Sequence, residues 1–142
     1  MWAPFCRVEL SSQARGALAV IVGGLLVLLT TALWLQPATE GRGTHQQLGL
    51  PPCTFVELFQ QPCPSCGMTT AWSHVVRGHW LSALACNAGG AMLAVTAIAT
   101  VPWAAVGVVR GRLAVPGAAM SVAWGVTIII VTLFQWLARI SL

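Results

Sequence analysis

Long apolar stretches without a single charged residue alternate with short polar segments along most of the chain. Three of these stretches exceed the roughly 20 residues that a helix needs to cross a hydrocarbon core about 30 Å thick. We therefore expect transmembrane helices at about residues 16–35, 81–108 and 114–138. The intervening residues 36–79 carry most of the polar side chains and are expected to form short interfacial helices. The pattern predicts an all-α integral membrane protein, with residues 1–142 forming a single membrane domain.

The second apolar stretch is longer than a membrane requires. From Trp80 to Val109 it would span about 45 Å if it were helical throughout, so it must tilt, extend past the interface or bend. Pro102 and the run that begins at Asn87 are the positions where helical hydrogen bonds would give way. Asn87 is also polar at membrane depth, and we expect it to hold neighbouring helices together.

Composition agrees with this topology and excludes some functions. Apolar residues make up 57% of the chain and charged residues only 7%, whereas about a quarter of the residues in soluble domains are charged. The seven basic residues are all Arg and lie scattered, so they form no patch dense enough to bind a phosphate backbone. We expect the lipid bilayer to be a partner and nucleic acid not to be one.

Arginines beside the predicted helices indicate the orientation. Four lie before the first helix or between the second and third, and three lie on the opposite side: Arg7, Arg15, Arg110 and Arg112 against Arg42, Arg77 and Arg139. The positive-inside rule then places the N-terminus in the cytoplasm and residues 36–79 outside the cell membrane. The first apolar run outlasts the 7–15 residues of a signal-peptide core, so we expect a retained helix.

Three of the five cysteines lie in the exoplasmic loop. Cys63 and Cys66 form a Cys-Pro-Ser-Cys motif, and Cys53 lies ten residues upstream. Proline directly after Cys63 is typical of a helix start, so we expect a helix from Pro64 to Arg77 with Cys63 as its N-cap. Both sulfurs of the motif would then lie near the positive end of the helix dipole, which lowers thiol pKa values.

The loop and the start of the next helix resemble a known family. The resemblance rests on four runs: LPPC at 50–53, CPSCGMTTA at 63–71, RGH at 77–79 and ACN at 85–87. They are similar to an uncharacterised family of small bacterial membrane proteins, domain of unknown function 2752, with a Cys-Pro-x-Cys-Gly-[Leu/Met]-Thr core. Family members often carry Arg, Asp and Pro where this chain has Thr70, His79 and Ala88. The resemblance implies a membrane topology and a role for Cys63 and Cys66, but no reaction.

A structural disulfide is the first of three hypotheses for the loop thiols. A disulfide between two of Cys53, Cys63 and Cys66 would fix the loop to the membrane surface. An oxidising exoplasmic compartment favours the formation of such a bond. Such a bond typically stabilises a fold by about 2–4 kcal/mol. The chain would then be a structural or accessory membrane component without a cofactor, and its biochemical function would stay unknown.

Exchange chemistry is the second hypothesis, and it makes the same bond labile. Cys63 and Cys66 would be the catalytic pair of a membrane-bound thiol–disulfide oxidoreductase, with Cys53 as a relay thiol. The βαβ surroundings of a thioredoxin are absent from the sequence, so only the motif supports this hypothesis.

Zinc binding is the third hypothesis. Cys53, Cys63 and Cys66 supply three of the four ligands that zinc requires, and His79 or His45 would have to fold back as the fourth. His74 is too far along the expected helix to reach the thiols.

Small residues on helix faces favour assembly. They are Ala85, Gly89, Gly90 and Ala94 in the second span and Gly16, Gly23 and Gly24 in the first. Such faces let helices approach closely. Three spans without an internal repeat are too few for a self-contained carrier. We therefore expect self-association or contact with other membrane subunits.

Overall fold

The computed structural model describes residues 5–141. In chain order the elements are β1 (Phe5–Glu9), α1 (Ser12–Trp34), a 3₁₀ turn (Thr44–Leu48), α2 (Thr54–Phe59), α3 (Met68–Val75), α4 (Trp80–Arg110), β2 (Arg112–Pro116) and α5 (Ala118–Ile140). Helices α1, α4 and α5 are long and apolar enough to cross a membrane. This confirms the predicted helical membrane fold.

The long helices leave most of their apolar surface uncovered. Val20, Leu81 and Phe134 are 75%, 84% and 75% exposed, respectively. Water would disfavour such surface, whereas lipid tails are as apolar as these side chains and impose no such penalty. The exposed surface therefore suits a bilayer environment.

A two-stranded antiparallel sheet joins the segment before α1 to the segment between α4 and α5, at one end of the helices. β1 pairs with β2 so that Phe5 lies opposite Pro116 and Glu9 opposite Arg112. The sequence did not predict these strands, and β2 occupies the residues where the third span was expected to begin. We call this end of the molecule the sheet end, and the end that carries residues 36–79 the loop end.

Helix α4 is broken at Asn87, where φ is −166° and ψ is 105°. The break divides it into residues 80–86 and 88–110. The side-chain oxygen of Asn87 accepts a hydrogen bond from the Gly90 N–H at 2.7 Å and so caps the second half-helix. Pro102, the other predicted break, keeps helical backbone angles.

Helix α5 satisfies the backbone groups that the break exposes. Gln135 accepts from the Ala88 N–H at 2.6 Å and donates to the Leu84 carbonyl at 2.8 Å. Arg139 donates to the last two carbonyls before the break, those of Ala85 and Cys86. An unpaired backbone group at membrane depth costs several kcal/mol, so these contacts make the break stable.

Short helix α3 packs into the space between α1 and α4. Its buried residues Ala71 and Val75 pack with small side chains of α4, whereas the buried Ser73 hydroxyl donates to carbonyls at the end of α1. A Cβ added at Gly90 would lie 3.0 Å from the Met68 side chain, and one at Gly89 would overlap Thr132 of α5. The α4 glycines expected to serve assembly are therefore packed within the chain, whereas Gly16, Gly23 and Gly24 of α1 face open space.

Candidate functional site

Three thiols from two segments meet at the loop end. Cys53 directly precedes α2 as its N-cap residue, while Cys63 and Cys66 lie on the turn that leads into α3. The Cys63 sulfur lies 3.6 Å from that of Cys53 and 3.2 Å from that of Cys66. All three sulfur atoms lie within 4.8 Å of one another. We call these three sulfurs the thiol cluster.

The Cys-Pro-Ser-Cys motif forms tight turns instead of the expected first turn of a helix. The Cys66 N–H donates to the Cys63 carbonyl at 3.0 Å, and the Met68 N–H donates to the Ser65 carbonyl at 3.1 Å. Gly67 then adopts a φ of +84° and precedes α3, so the helix begins at Met68. The prediction of a helix from Pro64 was wrong because proline suits the second position of a turn as well as a helix start. We call residues 63–67 the cysteine turn.

Gly67 fits where no other residue would. A Cβ at this position would lie 2.5 Å from the Cys86 carbonyl oxygen and 2.8 Å from that of Gly41. Its positive φ is also strained for residues with a side chain. Glycine here lets the cysteine turn press directly against the backbone at the break in α4.

Side chains from α4 and α5 hold the cysteine turn in place. The Asn87 amide donates to the carbonyls of Pro64 and Cys66 at 3.1 and 3.2 Å. The Trp136 indole N–H donates to the Pro62 carbonyl at 2.7 Å. Asn87 was expected to join helices, and it instead joins a helix to the loop. The sequence signal was a polar residue within an apolar run, but nothing in it indicated the partner.

Two thiols of the cluster, Cys53 and Cys66, differ in acidity. Hydrogen bonding from the Val56 backbone N–H, with a further contribution from Cys63, lowers the pKa of Cys53. Burial, reinforced by hydrogen bonding to Cys63, raises the pKa of Cys66 to about 12. Cys66 therefore keeps its proton at neutral pH, and Cys53 forms a thiolate more readily. The helix-dipole argument had predicted a lowered pKa for the cysteines of the motif, and for Cys66 this prediction was wrong because burial raises its pKa.

A pocket of about 670 Å³ adjoins the thiol cluster. Besides the three cysteines, its wall includes two side chains with metal-binding atoms, His45 and Glu40. The hydroxyl groups of Thr44 and Thr70, which are 2.8 Å apart and buried, connect the 3₁₀ turn to α3. The cluster is thus accessible from one side.

The remaining predicted site residues lie elsewhere. His79 precedes α4, and its ring centroid lies 5.8 Å from that of His74; neither histidine belongs to the thiol cluster. All five cysteines carry free thiols. The expected disulfide is therefore not formed in the structure, because the sulfur separations exceed the roughly 2.05 Å of a bond.

Comparison with known proteins connects this region to one family. Residues 53–101 match the family model described as "Protein of unknown function (DUF2752)". The match begins at Cys53 and includes Cys63, Cys66 and Asn87, and it confirms the resemblance inferred from the loop motif. No curated protein and no solved structure matches the chain.

Proposed function

We propose that the chain is an accessory membrane protein that binds one thiophilic metal ion, with zinc as the first candidate, through Cys53, Cys63 and Cys66. The mutual proximity of three sulfurs from two segments carries this proposal. A structural disulfide would use only two of them. Zinc–sulfur bonds of about 2.3 Å in a tetrahedral site place the sulfurs about 3.8 Å apart. The sulfur of Cys63 lies 3.2 and 3.6 Å from its two neighbours, close to that spacing.

Backbone N–H groups around the thiol cluster support thiolate ligands. The Cys63 N–H donates to the Cys66 sulfur at 3.3 Å. The nearby backbone N–H groups of Val56 and Phe55 favour the ionised form of Cys53 and so lower its pKa. Such outer contacts orient metal ligands and tune their basicity.

The fourth coordination position would adjoin the pocket. Its wall contains His45, one of the two histidines that the sequence suggested as a fourth ligand, and does not include the other, His79. Zinc sites with three protein ligands and one open position are typical of centres that exchange ligands or react, whereas purely structural sites have four protein ligands. The proposal is therefore a site that a fourth donor can enter or leave.

Metal binding is tested on the full chain, purified in detergent without chelator. We expect one zinc per chain by elemental analysis and a thiolate-to-metal absorption band when Co²⁺ is titrated into the protein. Cys53→Ser, Cys63→Ser and Cys66→Ser should each abolish stoichiometric binding. Cys6→Ser is the matched control, since Cys6 is exposed on β1. The proposal would be overturned if the wild-type protein contained no zinc and showed no Co²⁺ absorption band. It would also be overturned if Cys53→Ser bound metal as the wild type does.

Thiol–disulfide exchange is the second candidate function, and the lowered pKa of Cys53 favours it. In that reaction the Cys53 thiolate would attack the Cys63 sulfur of a Cys63–Cys66 disulfide. The Cys53–Cys63 bond would form, the Cys63–Cys66 bond would break, and Cys66 would leave as a thiolate that takes up a proton. A thiol with a pKa of about 12 is a poor leaving group, which is why we place metal binding first.

A trapping experiment separates exchange from a structural disulfide. The Cys66→Ser variant is expressed in its native membrane, quenched with acid and run on a non-reducing gel. A discrete, reductant-sensitive adduct through Cys63 would favour exchange. A wild-type disulfide that survives mild reductant, without an adduct in the variant, would favour a structural accessory loop. Reduced thiols with bound zinc would exclude both.

We also propose that the sheet end faces the cytoplasm and the thiol cluster the exoplasmic side of the cell membrane. At the loop end, Arg77 and Arg139 donate to backbone carbonyls of α1 and α4, and Arg42 alone is exposed. At the sheet end, four arginines are exposed, namely Arg7, Arg15, Arg110 and Arg112, and Arg15 also donates to the Val108 carbonyl. The freely solvated arginines therefore favour the sheet end more strongly than the simple count does.

The proposed orientation is tested with variants that keep only Cys6 or only Cys53. A membrane-impermeant maleimide applied to intact cells should label Cys53 and spare Cys6. Labelling of Cys6 alone would show that the orientation is the reverse of the proposed one. Labelling of both from outside would contradict the three-span topology.

A further inference from the structure

Three arginines at the sheet end line one pocket. Arg7 lies on β1, Arg110 ends α4, and Arg112 begins β2. The pairing of β1 with β2 brings the first of these next to the other two, although about a hundred residues separate them in the chain. The pocket has a volume of about 500 Å³, and all three arginines are exposed.

Acidic side chains do not neutralise this pocket. Among the described residues, none of its lining side chains is a carboxylate. Glu9 lies opposite Arg112 in the sheet and is the acidic residue of β1. The three arginines of the pocket and Glu9 together carry a net charge of +2, and Arg15, near Gly111, adds one further positive charge at this end.

The other residues that line the pocket are apolar. They are Trp103, Val106, Leu113 and Ala114; Trp103 and Val106 are 37% and 46% exposed, and Leu113 is buried. The indole N–H of Trp103 donates to the Ala114 carbonyl at 3.0 Å, which fixes the ring beside β2. Tryptophan typically lies at the level of lipid headgroups, with its ring against the acyl chains.

We propose that this pocket binds the headgroup of an acidic phospholipid. Guanidinium groups match phosphate oxygens with paired hydrogen bonds, so the three arginines would contact the phosphate. The glycerol and upper acyl chain would lie along the exposed parts of Trp103 and Val106. Free phosphate would contact only the arginines, whereas a lipid would contact the arginines and these apolar side chains. Basic pockets at the cytoplasmic ends of transmembrane helices are a recognised form of lipid recognition.

The binding test uses the full chain in neutral detergent, with short-chain phosphatidylglycerol as the probe. We expect saturable binding of one lipid per chain, with no competition by phosphatidylcholine. The double variant Arg110→Gln, Arg112→Gln should bind about 25-fold more weakly, at roughly fivefold for each charge removed. If the double variant fails to fold, Arg7→Gln provides the test instead. It changes an exposed strand residue and should weaken binding about fivefold.

The matched control is Arg42→Gln, which removes an exposed charge at the opposite end of the molecule. It should leave the affinity unchanged. An equal loss of affinity in Arg42→Gln would mean that net charge alone attracts the lipid, and this would overturn the pocket. Inorganic phosphate that binds as tightly as phosphatidylglycerol would overturn the lipid assignment, as would wild-type affinity in both the double variant and Arg7→Gln.

Discussion

Replacing Asn87 by aspartate separates two roles of one buried side chain. In the wild type its oxygen accepts from the Gly90 N–H at 2.7 Å, and its amide donates to the carbonyls of Pro64 and Cys66 at 3.1 and 3.2 Å. Aspartate has the same shape and keeps the acceptor, but an ionised carboxylate has no proton to donate. Asn87→Asp should therefore keep the cap of the second half-helix and release the cysteine turn.

The magnitude follows from the two carbonyls that lose their donor. A buried acceptor left without a partner costs about 1–3 kcal/mol, so two cost about 2–6 kcal/mol. Asn87 is only 2% exposed, and Pro64 and Cys66 are half-buried, so water offsets the lost bonds only in part. The loss is a large part of the roughly 5–15 kcal/mol that stabilises a typical fold.

The assay compares the free energy of unfolding in mixed micelles with the rate at which Cys63 reacts with a maleimide. Gln135→Met is the matched control, because it also removes hydrogen bonds at the break in α4, but those bonds join Gln135 to Leu84 and Ala88 and not to the cysteine turn. Both variants should be destabilised. Only Asn87→Asp should react faster, by about tenfold for each 1.4 kcal/mol by which local opening becomes easier.

Two results would refute this reasoning. One is an unfolding free energy for Asn87→Asp within about 0.5 kcal/mol of wild type, since surface substitutions already vary that much. The other is the same thiol reactivity in both variants, because the loop would then respond to any damage at the break.

Three further predictions concern the end of α1, the cysteine turn and proton release. Arg77→Ala should cost about 1–3 kcal/mol of unfolding free energy, because the half-buried carbonyls of Ala32 and Leu35 lose a charged donor. Arg42→Ala, which removes an exposed side chain, is the control, and an equal cost in that variant would contradict the argument. Gly67→Ala should prevent the protein from accumulating in membranes, because the added Cβ would overlap neighbouring backbone atoms. The control is Gly49→Ala, where φ is +76° but the surrounding space is open, and it should lower the free energy of unfolding by only about 1–2 kcal/mol. Equal amounts of the two variants in membranes would contradict the steric argument. Metal affinity should rise about tenfold per pH unit for each proton displaced, because Cys66, with a pKa of about 12, must lose its proton when the metal binds. Titration calorimetry in different buffers counts the protons released, and a constant affinity between about pH 6 and 8 would contradict the prediction.

The membrane helices were predictable because a single physical requirement determines them. A helix must place about 20 apolar residues in the hydrocarbon core, and that length is visible without any tertiary contact. The break near Asn87 was also visible, as a polar residue followed by glycines in an apolar run. What stabilises the break was not visible, because Gln135 and Arg139 lie about fifty residues further along the chain.

The sheet and the cysteine turn were missed for a different reason. β1 and β2 have five residues each, too few to show a reliable alternation, and they form through pairing across about a hundred residues of chain. Pro64 fits a helix start and a tight turn equally well. The positive φ of Gly67 decides between them, and it depends on the close approach of the Cys86 and Gly41 backbones.

Arg77 illustrates how the environment changes the role of a charged residue. On a short interfacial helix it would ordinarily contact headgroups, but here it donates to carbonyls at the end of α1. Those carbonyls lack intrahelical partners, and a cation there also interacts favourably with the helix dipole. An arginine in this position therefore stabilises the junction between α1 and α3.

The break in α4 connects the thiol cluster to the membrane helices. Asn87 and Trp136 hold the cysteine turn, and Arg139 donates to carbonyls on the other side of the same break. The position of Cys66 relative to Cys53 thus depends on how α4 packs against α5, and not on the loop alone. A metal ion held by both cysteines would in turn link α2 to this helix pair. The proposed metal binding at the loop end would therefore be coupled to the packing of α4 against α5 through the same few hydrogen bonds.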